Sequence, residues 1–150
     1  MEQINRYELK AKAYKTKFEK TKITNSQDAY NVIRKFYSDD INIFESFFLL
    51  MLNISNETIG YAKISQGGVT GTVVDVKIVA KYCIDSLCSS AIVAHNHPSG
   101  NLNASEADIK ITKKINEALK LIDVNLLDSL IITDTNFTEI NFNHHITLNN

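Results

Sequence analysis

The residues best suited to chemistry lie in the stretch Ala94-His95-Asn96-His97-Pro98-Ser99-Gly100, followed by Ser105-Glu106-Ala107-Asp108. His95 and His97 are two apart at the end of an apolar run, and residues i and i+2 of a strand point to one face, so both imidazoles can approach a single point. Pro98, the chain's one proline, stops any regular continuation. Asp108 comes eleven residues after His97, in the first turn of an expected helix, where a loop of that length can bring it back toward the strand end. Two imidazole nitrogens and one carboxylate oxygen suit a catalytic zinc, because three protein ligands leave a fourth tetrahedral position open for water. Each part also has a plainer explanation. A histidine at a strand end is often structural, and Ser105-x-x-Asp108 is close to a capping box. The order and spacing of all the parts together are hard to obtain from packing alone, and a helix cap is itself a rigid mount for a ligand.

The elements that must position these residues follow from periodicity. Ser26 is the expected N-cap of a helix carrying Ala29, Val32, Ile33, Phe36 and Tyr37, which stops near Asp39-Asp40. Residues 45–53 read as a buried strand, Asn56-Glu57 as a turn, and Thr58 to Ser65 as the antiparallel return. Gly67, Gly68 and Gly71 make a flexible connection to Thr72-Val73-Val74. A helical stripe over 76–87 carries Val76, Val79, Ala80, Cys83, Ile84 and Leu87, and Cys83 and Cys88 are read as packing residues of a helix rather than ligands. Ser90 to Ala94 is a buried strand, and 105–122 is the clearest helix, with Ile109, Ile111, Ile115, Ala118, Leu119 and Ile122 on its apolar face. Leu126 to Thr133 closes as a strand and Asn136 to Phe142 as a short edge strand. Helices interleaved with buried strands predict an α/β chain with a mixed sheet covered by helices.

Composition agrees with a folded domain. The 150 residues are 44% hydrophobic and 22% charged with a net charge of −1, which excludes disorder as the main state, and no repeat supports a coiled coil or collagen. The longest apolar run, Phe47 to Leu52, is far short of the roughly 20 residues of a membrane helix, so no membrane partner is expected. Two cysteines make no disulfide framework. With no secretory signal pattern, the expected location is cytoplasmic. Residues 1–24 carry seven lysines and arginines against three glutamates, a net of +4. They form an expected basic arm ahead of a domain over 25–150. The arm reads as a solvated tail or an edge strand, or as a contact for nucleic acid.

His95-x-His97-x7-Ser105-x2-Asp108 resembles the JAMM (MPN+) metalloprotease motif, and His95-Asn96-His97-Pro98-Ser99-Gly100 is similar to its RadC branch. The likeness runs from about residue 24 to 142 through Ile64-Ser65-Gln66-Gly67-Gly68 and Leu130-Ile131-Ile132-Thr133, and is to short forms without a helix-hairpin-helix region. It implies an α/β/α sandwich of the JAB/MPN, cytidine-deaminase-like architecture, and Zn2+ held by His95, His97 and Asp108. It also implies an upstream glutamate as general acid/base. The family's glutamate heads a first apolar strand, which selects Glu45 over the turn residue Glu57. By the same likeness Ser105 hydrogen-bonds the reacting water or the oxyanion. Two departures stand out: Ala104 where many relatives have proline, and Asp128-Ser129 where relatives often carry Asp-His. His144 and His145 are assigned no role.

The resulting expectation is a zinc-dependent hydrolase cleaving an amide bond in a peptide or protein substrate. The alternatives are a DNA-repair-associated factor engaging nucleic acid through the basic arm, or a metal-dependent nuclease. The near-neutral charge and the lack of a nucleic-acid-binding motif count against the former. A ligand-less scaffold fits poorly with a complete ligand set, and a deaminase is excluded because the Pro-Cys-x-x-Cys half of that signature is missing.

Overall fold

Alternation along two buried strands decides what faces the site. In the computed structural model, which describes residues 1–8, 12–68 and 73–142, the first strand, β1 (Ser46–Leu52), is buried at every position. Its even residues Phe48, Leu50 and Leu52 join one apolar cluster, and its odd residues Phe47, Leu49 and Met51 join another. A strand covered on both faces must be apolar throughout, and this is why the run Phe47 to Leu52 could be recognised. β2 (Thr58–Gln66) returns antiparallel on one side of β1. β3 (Ser90–Asn96) pairs antiparallel on the other. β4 (Asn125–Ile132) lies parallel to β3, and the short β5 (Phe137–Glu139) runs antiparallel beside it. The sheet order is β2-β1-β3-β4-β5, a mixed five-strand sheet.

Among the described residues, three α-helices complete the α/β fold. α1 (Ser26–Ile33) packs Ala29, Val32 and Ile33 against the even face of the sheet. α2 (Val76–Ser86) and α3 (Glu106–Leu121) cover the odd face with Val79, Cys83, Ile115 and Leu119. α3 is also the crossover between the parallel strands β3 and β4.

Several boundaries differ from expectation for local reasons. Asn25, rather than Ser26, caps α1 by accepting from the Asp28 amide, while the Ser26 hydroxyl donates to Asp128 Oδ2 at 2.7 Å. α1 ends at Ile33 and tightens into 3-10 turns over 34–36 and 39–42, so Phe36 and Tyr37 are not on it. Tyr37 is extended instead, with its ring against Phe48 and its hydroxyl donating to the Ser46 carbonyl. β3 continues past Ala94 because β1 pairs with it as far as His95 and β4 as far as Asn96, which lies opposite Ile132. Cys88 lies beyond α2, after Leu87 closes that helix in the left-handed conformation at φ 53°. Both cysteines are buried free thiols. Of the amino-terminal stretch, the Phe18 ring packs edge-on against Phe36 and Tyr61, Lys22 bridges Glu57, and Ile23 is buried in the core. Gly71, Thr72, His144 and His145 lie outside the described residues. Among the described residues, no helix is long and apolar enough to cross a membrane.

Candidate metal centre

His95 is an odd residue of β3, so it shares a face with Ala91 and Val93 and points toward the side covered by α3. Its ring stacks on Phe47, with centroids 5.9 Å apart and planes 6° from parallel. His97 lies one residue beyond the strand, with its amide still donating to the Ile132 carbonyl at 3.1 Å. The loop after Pro98 turns back, and His97 Nδ1 lies 2.6 Å from the Asn101 carbonyl oxygen. A carbonyl only accepts, so Nδ1 carries a proton and Nε2 is the ring nitrogen turned toward the site.

Asp108 reaches the same point from the first turn of α3. The helix begins with a full capping box: the Asp108 amide donates to Ser105 Oγ at 3.1 Å, and the Ser105 amide donates to Asp108 Oδ2 at 2.9 Å. The expected cap is therefore present, and the carboxylate it fixes faces both histidines. His95 Nε2 is 3.2 Å from Asp108 Oδ1, His97 Nε2 is 3.3 Å from Asp108 Oδ2, and the two Nε2 atoms are 3.0 Å apart. Burial works against charge on Asp108, but hydrogen bonds from His95, His97 and the Ser105 amide outweigh it and hold the carboxyl well below the usual carboxylate range. The hydrogen bond to Asp108 raises the proton affinity of His97, against the opposing effect of burial.

Glu45 reaches the same two imidazoles. It sits just ahead of β1, and its carboxylate and the two imidazoles place ligand atoms within 4.8 Å of one another. Glu57 lies at the opposite end of β1, roughly 20 Å away at about 3.3 Å per residue. There it pairs with Lys20 at 3.1 Å, and that hydrogen bond lowers its pKa. The structure thus brings His95, His97, Asp108 and Glu45 together, with Ser105 beside Asp108, and leaves Glu57 apart.

The donor set fits zinc. An ion with bonds of about 2.0–2.1 Å holds tetrahedral ligands about 3.3 Å apart, close to the 3.0–3.3 Å triangle of two nitrogens and a carboxylate. Ser129, on β4 beneath α3, pairs its hydroxyl at 3.0 Å with Oγ1 of Thr112, which lies one helical turn on from Asp108, in the buried interface. Sequence reasoning missed Asn101, Tyr37 and Asn96. Asn96 carried one usable signal, a polar residue inside an apolar strand on the face opposite His95.

A mixed five-strand sheet with helices on both faces and this site at the end of its central strands is the architecture of a JAB/MPN domain. A family model described as RadC-like JAB domain matches residues 23–144, and the chain belongs to that family. It is 45% identical over 116 residues to a UPF0758 protein of Flavobacterium johnsoniae, covering 77% of this chain and 50% of the relative. It is 39% identical over 112 residues to a UPF0758 protein of Porphyromonas gingivalis, covering 75% and 48%. A Cellvibrio japonicus UPF0758 protein is 40% identical over 90 residues, covering 60% and 40%. The chain spans about half the length of the first two curated relatives it matches.

Proposed function

We propose that this chain is a zinc-dependent hydrolase of the JAMM metallopeptidase type that cleaves a peptide or isopeptide bond. The observation that supports this most is the triangle of His95 Nε2, His97 Nε2 and the Asp108 carboxylate with a second carboxylate, Glu45, beside it. His95, His97 and Asp108 would hold the ion. A zinc bound there supplies Lewis acidity for the scissile carbonyl and a water that ionises near neutral pH.

The remaining steps fall to side chains of this chain. Glu45 accepts the proton of the attacking water and delivers it to the leaving nitrogen as the C–N bond breaks. Ser105 Oγ already accepts from the Asp108 amide, so its own proton is free to be donated to the oxyanion. The Asn101 carbonyl keeps His97 in the tautomer that presents Nε2.

The test compares the zinc-loaded protein with Glu45→Gln on a mixed peptide and ubiquitin-type isopeptide panel, with single- and double-stranded oligonucleotides as a parallel arm. Cleavage of an amide substrate that Glu45→Gln abolishes while zinc content stays unchanged is the expected result. Cleavage of oligonucleotides alone would replace this reading with the nuclease one, and salt-sensitive DNA binding without cleavage would favour a DNA-associated role.

A further inference from the structure

We propose that Asn96, the residue between the two histidines, is a positioning residue that fixes Glu45 relative to the metal centre; the inference rests on the hydrolase reading and deepens it. Alternation on β3 turns Asn96 away from His95, onto the face that carries the 3-10 turn of residues 39–42. There its side chain is fully buried and bonded three ways. Nδ2 donates to the Ile41 carbonyl at 2.7 Å and to the Phe44 carbonyl at 2.8 Å, and Oδ1 accepts from the Ser46 amide at 2.7 Å.

Two of those bonds bracket Glu45. The Phe44 carbonyl belongs to the peptide unit before it, and the Ser46 amide to the unit after it. The Glu45 carbonyl in turn accepts from the Gly67 amide at 2.9 Å, and the Ser46 carbonyl from Tyr37 Oη at 2.8 Å. The backbone that carries the proposed proton carrier is therefore pinned by the residue that separates the two proposed imidazole ligands. An amide is the side chain that can do this, since it offers two donors and an acceptor in one plane. Aspartate would set a carboxylate against two carbonyls, and serine would be too short to span them. Asn96 thus ties the segment that carries the acid/base to the strand that carries His95, alongside the Gly67 and Tyr37 bonds.

The experiment uses Co2+ in place of zinc and follows visible absorption against pH for wild type, Glu45→Gln, Asn96→Ser and the double variant. Backbone amide exchange is measured on the same proteins without metal. Asn96→Ser is expected to bind one Co2+ within about threefold of wild-type affinity, as no ligand changes. Its spectral midpoint should move in the same direction as that of Glu45→Gln, and the double variant should move no further than Glu45→Gln alone. Without metal, Ser46 amide exchange should quicken at least about tenfold while Leu50, in mid-strand, stays protected. Should Asn96→Ser fold poorly, Tyr37→Phe releases the same segment more gently and should give smaller shifts of the same sign. Additive spectral shifts, or a Ser46 amide as protected as in wild type, would overturn the inference. A wild type that takes up no Co2+, or a Glu45→Gln midpoint identical to wild type, would instead overturn the hydrolase reading and with it the purpose of the clamp. The exchange data would still decide whether the clamp exists.

Discussion

Asp108 carries two duties that one substitution can separate. Its Oδ2 caps α3 by accepting from the Ser105 amide, and both carboxylate oxygens face the histidines. Asp108→Asn keeps an oxygen for the cap but removes the charge. Losing a carboxylate from the first turn of a helix costs about 0.3–1 kcal/mol, which lowers the melting temperature by roughly 2–4 °C at most for a chain of this size. Zinc affinity should fall much further. Partners that only orient a metal ligand are worth about 10–100-fold, so loss of an anionic ligand should exceed about 100-fold, or ~2.8 kcal/mol. Titration with zinc against a competing chelator, paired with thermal melts in chelator, measures both effects. Zinc affinity within about threefold of wild type would mean that Asp108 serves the helix and that the third ligand is elsewhere. Asp108→Ala is the companion variant, losing the cap as well and melting lower than Asp108→Asn by about 1 kcal/mol.

Ser105→Ala removes the acceptor for the Asp108 amide and should cost about 1 kcal/mol in chelator melts; zinc content should stay at wild-type level while amide cleavage drops. Burial raises the pKa of Asp128, against the Ser26 and Ser129 hydrogen bonds that lower it. A carboxyl whose native pKa lies above its unfolded value holds more protons when folded, so stability falls as pH rises through that window. Asp128→Asn should flatten this part of the stability–pH curve, and should relieve Glu139, whose pKa burial and then Asp128 raise; an unchanged slope in denaturant melts between pH 4 and 7 would refute it. Leu87 closes α2 at φ 53° and is 85% exposed. Leu87→Gly should therefore stabilise the protein by about 0.5–1 kcal/mol, read as a higher urea midpoint.

The sheet and helices were legible where apolar residues repeat without interruption. Phe47 to Leu52 and the stripe through Ile115 and Leu119 could be nothing but buried faces. The boundaries were less so, because they are set by distant partners. Ser26 resembled a cap, yet its hydroxyl serves Asp128, 102 residues away. Phe36 and Tyr37 had helical spacing, but the Tyr37 hydroxyl is held by Ser46 and its ring by Phe48. At the site, two-residue spacing on a strand was enough to point His95 and His97 at one spot, and the capping pattern placed Asp108. The convergence of Glu45 depends on pairing between β1 and β3, which places Phe47 beside His95. No local pattern encodes that register, so only the family likeness singled out Glu45. A polar residue in an apolar strand marks Asn96, but no local pattern encodes its role, because its three partners lie 50 to 55 residues earlier in the chain.

Crystals of the full chain soaked in zinc and measured at the zinc absorption edge give the most direct test of a metal held by strand end and helix start together. One anomalous peak per chain about 2.0–2.2 Å from His95 Nε2, His97 Nε2 and an Asp108 oxygen is the predicted result. An ion bound elsewhere, or no peak at those three side chains, would contradict it.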